Sequence, residues 1–472
     1  MFSEKFWKEP FCRFENKNRY IEKNIYMKKV GIVGAGLVGS LQAILMAKKG
    51  YQVSVFERRP DLRKAKLLAG KSINLALSDR GWKALELAGI AEDIRAISIP
   101  MYKRCMHAVD GTLTYQPYGK EDQAIYSVSR GGLNQKLMNL ADNYPNINYN
   151  FNRKCDDIDL KTNTLTFSNS ETNQKENHAF DKVFATDGAF SAVRMRMQKN
   201  TIFDYSQKYL DHGYKELVIP ANADGTHQLD KNCLHIWPRG EFMMIALANL
   251  DGSFTCTLFF PMKGETSFDT LKTKEQVSDF FNLMFSDAVS MMPTLIDDYF
   301  ENATSSLIMV RCNPWNYGDD VVLLGDSAHA IVPFYGQGMN CGFEDCTVFH
   351  EMHEEANGNW DGLLGRFSDQ RVPDGNAILD LALLNYVEMR DLTADPNFLL
   401  RKKIEAKFSN LYPNKWLPLY SQVTFSHIRY SEALANGKKQ DQIMAKLMEM
   451  ENIHEKWDAP EVMEKLNELV DQ

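Results

Sequence analysis

Apolar positions along this chain recur in two periods, and the switch between them marks out its elements. Val30, Ile32 and Val33 read as a short buried strand. The apolar positions after it, Leu41, Ile44, Leu45 and Ala47, fall at helical spacing and end at a basic Lys48-Lys49-Gly50 stop. Residues 52–56 then alternate as a second strand. Further strands are predicted over 71–77, 104–108, 113–116, 126–129, 147–151 and 182–185. A loop is predicted at 60–70, a hairpin over 158–167, and helices starting at Ser78 or Asp79 and at Arg130. From about 201 to 306 the texture changes. Apolar runs at 217–220, 234–238, 242–248 and 254–260 are joined by Pro, Gly and Asp-Gly turns, which predicts an antiparallel sheet. Thr273 and Gln276 are spaced as a capping box for a helix reaching Met284. A strand returns at 320–324, and beyond Trp360 the pattern is helical, punctuated by Pro373, Pro396, Pro413 and Pro418, with an amphipathic stretch at 440–469.

This order predicts an α/β fold. A Rossmann-like dinucleotide-binding domain built from 27–200 and 307–395 carries an inserted antiparallel β-sheet substrate domain at 201–306 and a helical C-terminal region at 396–472. Residues 1–26 mix charges and aromatics without the apolar core of a signal peptide. They are expected to be a poorly ordered N-terminal extension, with Met27 as an alternative start. The chain has 472 residues, 44% of them hydrophobic and 25% charged, as a soluble globular protein has. Its net charge of −8 argues against a nucleic-acid surface. None of the eight cysteines forms a C-x-x-C pair, so no metal site is signalled and reduced buried thiols are expected.

The chemistry starts at the first turn. Gly34, Gly36 and Gly39 lie between a strand and a helix, and the next strand ends on Glu57. In such a unit the first glycine permits the tight turn and the second lets the backbone approach a pyrophosphate. The third lets the helix sit close on the strand, the helix N-terminus faces the phosphates, and the acid meets ribose hydroxyls. By itself the loop suggests a nicotinamide dehydrogenase. Three later features point elsewhere. Arg130 opens a helix, where it can reach a phosphate. Asp187-Gly188 forms a second turn after a short strand. Asp326, in the run DVVLLGDSAH, follows a buried strand, placed to hold a ribose or ribityl hydroxyl. His329 in that run is read as structural, not as a base.

The glycine loop, the Asp-Gly turn and the Gly-Asp turn, in this order, resemble the single-component FAD-dependent aromatic hydroxylases. The resemblance implies one FAD bound across the α/β domain, with NADPH (or NADH) docking transiently as reductant. The cofactor residues it implies are Gly34, Gly36, Leu37, Gly39, Glu57, Arg58, Arg130, Asp187, Asp326, Gly336, Gly338, Met339 and Asn340. Of these, 336–340 would lie against the flavin ring, with the helix N-terminus stabilising negative charge on it. No side chain is assigned as a catalytic acid or nucleophile, because the cofactor carries the chemistry.

Several segments are similar to the kynurenine 3-monooxygenase family in particular: FERRP at 56–60, SINLAL at 72–77, QPYG at 116–119, HGYKEL at 212–217, LHIWP at 234–238, FYGQGMN at 334–340, NYVEM at 385–389 and YSQVTF at 420–425. What this implies is hydroxylation of L-kynurenine to 3-hydroxykynurenine with NADPH and O2, in tryptophan catabolism towards quinolinate and NAD. It implies that Arg104 and Tyr118 meet the substrate carboxylate and that Asn385 and Tyr420 complete the polar end. A guanidinium forks well onto a carboxylate, and neutral donors add hydrogen bonds without adding net charge. Leu234, Ile245, Leu247, Phe259, Pro333, Phe334 and Met389 are implied as the apolar walls around the ring. The chain departs from the family at Tyr335, where relatives carry other ring-bearing residues, and at Ala185-Thr186, where Gly-Ala is commoner. Mitochondrial relatives carry a hydrophobic C-terminal anchor. None is seen at 440–472, so a cytoplasmic enzyme without a membrane anchor, a monomer or homodimer, is expected. The alternatives are a related flavin hydroxylase acting on another aromatic acid, or a flavin-fold binding protein without turnover.

Overall fold

The chain is organised around a six-stranded sheet whose order is Asn316–Tyr317, Val321–Leu323, Lys182–Ala185, Lys29–Val33, Gln52–Phe56, Ile147–Asn150. All neighbours in it run parallel except the short Asn316–Tyr317 edge. The structure, a computed structural model, describes residues 28–64, 73–119, 123–199, 202–392 and 395–472. The expected 1–26 extension, most of the predicted 60–70 loop and the first two positions of the strand predicted at 71–77 lie outside the described residues.

Strands with both faces covered are apolar throughout, and Val30, Ile32 and Val33 are accordingly buried. The helix Leu37–Lys48 packs beside them with every residue from Gly39 to Ala47 buried. Such a helix lies inside the domain, so it needs no polar face. Chain order reverses at Lys29–Val33, which has Gln52–Phe56 on one side and Lys182–Ala185 on the other. In open α/β sheets ligands bind in the crevice at the carboxyl ends of the strands beside such a switch.

The second sheet has seven strands, in the order Ser305–Asn313, Asp204–Ile219, Phe254–Pro261, Met243–Ala248, Cys233–Pro238, Lys103–His107, Leu113–Pro117. It therefore extends beyond the expected 201–306 segment at both ends. It is also not wholly antiparallel, because Cys233–Pro238 pairs in parallel with Lys103–His107. Turn chemistry reveals which neighbours are joined by hairpins, but it says nothing about strands brought together from distant parts of the chain. The predicted hairpin at 158–167 likewise gains a third strand, Lys175–Ala179, whose outward-facing polar pattern gave no signal.

Two helical expectations change. Pro373 does not punctuate; it lies inside the helix Leu363–Val387. A proline in a helix interior costs about 3 kcal/mol, and here fourteen buried residues of the same helix outweigh it. The stretch 440–469 is three helices, Tyr430–Leu447, Ile453–Lys456 and Pro460–Asp471, broken where Asn452 takes a left-handed conformation. The capping box is present: Thr273 accepts the Gln276 N–H, and Gln276 returns a bond to the Thr273 N–H. Among the described residues no helix is long and apolar enough to cross a membrane.

Candidate functional site

Four loops meet at the carboxyl ends of the parallel strands. They are Gly34–Gly36 after Val33, Glu57 after Phe56, Thr186–Gly188 after Ala185, and Gly325–Asp326 after Leu323. The glycines divide by role. Gly34 has φ +100°, and a Cβ there would stand 2.4 Å from the Thr186 carbonyl; at Gly39 it would stand 2.0 Å from the Gly34 carbonyl. These two positions are closed by the fold itself. Around Gly36, Gly188 and Gly338 a Cβ would meet nothing within 4 Å. These three surround open space, the cradle a dinucleotide needs. Gly36 is the N-cap of Leu37–Lys48, and no side chain caps that helix, so its first N–H groups remain available to a phosphate.

Glu57 faces this turn, accepting the Ala35 N–H at 3.1 Å and the Arg59 N–H at 3.0 Å. Asp326 is exposed, at the first position of the short helix Asp326–His329. One oxygen of Asp187 accepts the Ala192 N–H at 2.8 Å, while the other is buried without a partner. Burial raises the Asp187 pKa. Thr186, one of the departures from the family pattern, donates its hydroxyl to the Val33 and Gly34 carbonyls, both at 2.9 Å, and so ties the second turn to the first.

Next to the cradle opens a cavity of about 360 Å³. Its lining brings together Gly36, Leu37, Arg130, Asp326, Gly336, Gly338 and Met339 from the expected cofactor set. From the expected substrate set it brings together Arg104, Tyr118, Leu234, Ile245, Leu247, Phe259, Pro333, Phe334, Met389 and Tyr420. Gly34, Gly39, Glu57, Arg58, Asp187, Asn340 and Asn385 do not line it. The first two are packing positions, and Arg58 is exposed. Asn340 is fully buried. It donates to the Ala76 and Gly336 carbonyls, both at 2.8 Å, and accepts the Ser78 N–H at 2.9 Å, so its amide is spent on backbone. Asn385 likewise donates to the Phe334 carbonyl at 2.7 Å and to the Met389 sulfur at 3.2 Å. Both hold the cavity wall in shape from behind.

The polar end of the cavity is one cation among phenols. The Arg104 guanidinium carbon lies 4.5 Å from the centre of the Tyr420 ring and 5.1 Å from that of Tyr118. Tyr118 and Tyr420 stack at 5.5 Å, as do Tyr335 and Tyr420. Burial opposes the charge on Arg104, but the facing phenols of Tyr420 and Tyr118 more than offset it, so its pKa lies above the ordinary value. No carboxylate pairs with Arg104 among the described residues, and the Tyr118 hydroxyl is buried without a hydrogen-bond partner. A half-buried cation and an unsatisfied buried hydroxyl side by side fit an anionic ligand group.

Sequence reasoning missed Asn74, Ala76, Tyr214, Met243, Thr257 and Ile331, which also line the cavity. Tyr214 and Thr257 follow from strand alternation once the pairing Tyr214↔Phe259 is known; the sequence alone does not supply that register. Met389 is carried on a π-helical turn, Glu388–Leu392, a geometry often found at functional sites. His329 is buried, with Nε2 2.6 Å from Asp345, which in turn accepts the Gly325 N–H at 2.9 Å. Through Asp345, His329 is thus linked to the turn carrying Asp326.

Comparison with known proteins adds to this geometry. Residues 27–382 match the FAD binding domain family. The chain is 51% identical over 442 residues to a kynurenine 3-monooxygenase of Flavobacterium johnsoniae, covering 94% of this chain and 98% of that one. It is 49% identical to that of Christiangramia forsetii, covering 94% and 99%. Among solved structures, the tetrameric form of 2-methyl-3-hydroxypyridine-5-carboxylic acid oxygenase superposes with a TM-score of 0.64 at 18% identity, covering 79% of this chain and 95% of that one. That last likeness speaks to the fold alone.

Proposed function

This chain belongs to the kynurenine 3-monooxygenase family of FAD-binding proteins, and from that premise we propose that it is an NADPH-dependent flavoprotein that hydroxylates L-kynurenine to 3-hydroxykynurenine. The observation that carries the substrate assignment is the pairing of Arg104 with the unsatisfied Tyr118 hydroxyl at one end of an otherwise apolar cavity. An aromatic amino acid with a carboxylate at one end and an aniline ring at the other matches that division of polarity.

The residues fit FAD. Gly36, Gly188 and Gly338 leave the space, the uncapped helix at Gly36 faces the phosphates, and Asp326 and Arg130 stand at the cavity edge to meet hydroxyls and phosphate. When bound, FAD supplies the activation of O2 and the delivery of one oxygen atom. The chain supplies placement. Arg104, Tyr118 and Tyr420 anchor the carboxylate, which fixes how far the ring reaches towards the cofactor. Leu234, Ile245, Leu247, Phe259, Pro333, Phe334 and Met389 hold the ring by its faces and keep water away from it. Asn385 fixes the Phe334 carbonyl and Asn340 fixes the start of the helix Gly338–Glu355. Both therefore act on the walls and not on the substrate.

A cytoplasmic enzyme working as a monomer or homodimer belongs to the same reading. The compartment part of it is supported by the free thiol state of all seven described cysteines. The test is NADPH oxidation by the FAD-loaded enzyme with and without L-kynurenine, with the product weighed by mass spectrometry. Stimulated oxidation and a product heavier by one oxygen atom are expected. A product without that atom overturns the reading, and turnover only on a different aromatic acid moves it to a sister hydroxylase.

A further inference from the structure

The helix Leu419–Thr424 carries Tyr420 over Arg104, and it is only six residues long. A helix that short does not hold itself in water, and the last four carbonyls of any helix have no partner inside it. Here two of those carbonyls are met from a distant part of the chain. Arg80 Nε donates to the Val423 carbonyl at 2.8 Å, and Arg80 Nη2 donates to the Gln422 carbonyl at 3.2 Å. Nη2 also donates to the Ile428 carbonyl, beyond the helix end. Arg80 therefore caps the C-terminal end of the helix, two and three residues after Tyr420, a task that suits a cation with several N–H groups.

Arg80 itself belongs to the cofactor-binding half. It stands in the helix Asp79–Ala88, directly after the strand Asn74–Leu77, and Asn74 and Ala76 of that strand line the cavity. Its side chain is fully buried and fixed on two further sides. Nη1 pairs with Glu344 on the helix Gly338–Glu355, and the guanidinium carbon lies 4.0 Å from the centre of the Tyr430 ring. The Tyr430 hydroxyl donates to Gln337 Oε1 at 2.8 Å, and Gln337 sits between the cavity-lining Gly336 and Gly338. Glu344 has a second cation, Arg371 Nη1 at 2.8 Å, so that carboxylate stays compensated without Arg80. The helix Leu419–Thr424 is also tied to the C-terminal region, where Asn436 donates to Gln422 Oε1 at 3.0 Å. Arg80 ties it instead to the part of the chain that cradles the cofactor.

We propose that Arg80 is a positioning residue for the substrate: by capping Leu419–Thr424 from the cofactor-binding half, it fixes where the Tyr420 ring stands over Arg104. The positioning half rests on the reading of Arg104 and Tyr420 as the carboxylate anchor. Arg80 does not line the cavity, so its effect passes through the helix. Without the guanidinium, carbonyls of the buried last turn, Gln422 and Val423, lose a charged donor, and that turn frays. Tyr420 lies within one turn of the break, so its ring loses its fixed place over Arg104. Substrate binding weakens, while the chemical step, which the cofactor carries, is left alone in those molecules that bind. A lysine keeps the charge beside Glu344, but its ammonium offers donors from a single point and cannot serve the spread of carbonyls that the guanidinium fork reaches.

The test uses FAD-loaded wild type, Arg80→Gln and Arg80→Lys, with two readouts. The first is hydrogen–deuterium exchange over 419–428 without substrate, where the Phe425 N–H is bonded to the Ser421 carbonyl at 2.9 Å. Exchange there should quicken on the order of tenfold in Arg80→Gln, the weight of one charged hydrogen bond, and by less in Arg80→Lys. The second is steady-state kinetics. KM for L-kynurenine should rise on the order of tenfold in Arg80→Gln, and by less in Arg80→Lys, with kcat little changed. In a Tyr420→Ala background, Arg80→Lys should add almost nothing to KM, because the side chain it positions is gone. Where Arg80→Gln fails to fold, Arg80→Lys and its pairing with Tyr420→Ala carry the same comparison. Unchanged exchange would overturn the cap. Faster exchange with an unchanged KM, a fall in kcat instead, or KM effects that multiply in the double variant would overturn the positioning role. Because exchange is read without substrate, failure of the kynurenine reading would leave the cap separately decided.

Discussion

Arg104 lies with its guanidinium carbon 4.5 Å from the centre of the Tyr420 ring, although one sits in the second sheet and the other in the C-terminal helix Leu419–Thr424. Arg104, the cation at the polar end of the cavity, is thus covered by a part of the chain remote in sequence. Stacked tyrosines hold the charge out of water without neutralising it, so it stays available to a ligand. Arg104→Ala should weaken L-kynurenine binding by about 2–5 kcal/mol, the usual cost of removing one partner of a buried charged pair. Arg104→Lys should recover only part of this, because an ammonium lacks the fork. Equilibrium titration of the FAD-loaded variants with substrate checks both, and unchanged binding removes Arg104 from the site.

Tyr118 separates folding from binding. Its hydroxyl is buried and has no partner, and burial pushes its pKa well up. An unsatisfied buried hydroxyl destabilises the empty protein. Tyr118→Phe should therefore leave the melting temperature of the substrate-free enzyme equal or higher, while substrate binding weakens by about 1 kcal/mol. A lower melting temperature with unchanged binding would mean the hydroxyl serves the fold.

The three loop glycines should also come apart. At Gly39 an added Cβ would stand 2.0 Å from the Gly34 carbonyl and 2.5 Å from Thr186 Oγ1, whereas at Gly36 it would meet nothing. Gly39→Ala should lower the stability of the FAD-free protein by about 1–3 kcal/mol or more, the cost of overpacking. Gly36→Ala should leave the FAD-free protein as stable as wild type and weaken FAD retention. Thermal melts with and without added FAD read the two effects separately.

These contrasts show what the sequence carried. Gly34, Gly36, Gly39 and Glu57 were legible because a strand, a turn and a helix are local and their spacing is short. Asp187 and Asp326 were legible as strand-end turns, and the cofactor role expected of them is what the family resemblance implies. The pairing of Cys233–Pro238 with Lys103–His107 was not legible, because it joins residues far apart and no turn announces it. Sequence reasoning also treated Asn340 and Asn385 as ligand contacts, since residue type alone cannot show that the Asn340 amide donates to two backbone carbonyls or that the Asn385 amide donates to the Phe334 carbonyl and the Met389 sulfur.

A last prediction concerns the support beneath Asp326. Asp345 is fully buried and accepts from the Gly325 N–H at 2.9 Å, His329 at 2.6 Å, and Arg371 at 2.8 and 3.0 Å. Burial would raise the Asp345 pKa, but the charges of His329 and Arg371 outweigh it and hold the pKa below its ordinary value. Burial would lower the His329 pKa, but Asp345 outweighs it and the pKa lies well above 6.5. The signs follow by linkage. Asp345 contributes stability that is present above its unfolded pKa of about 3.9 and is lost as pH falls through its folded value. His329 contributes stability that is fully present below about 6.5 and is lost as pH rises through its folded value. The pair therefore stabilises most between about pH 4 and pH 6.5. Asp345→Asn should flatten both limbs of a stability-against-pH profile and cost about 3–5 kcal/mol near pH 6, because it leaves the buried Arg371 and His329 undercompensated. It should also weaken FAD retention, since the Gly325 N–H bond holds the turn that presents Asp326. Denaturant unfolding at stepped pH checks the first effect and FAD release on dilution the second. A variant that keeps both pH limbs would show that stability in this range is set elsewhere.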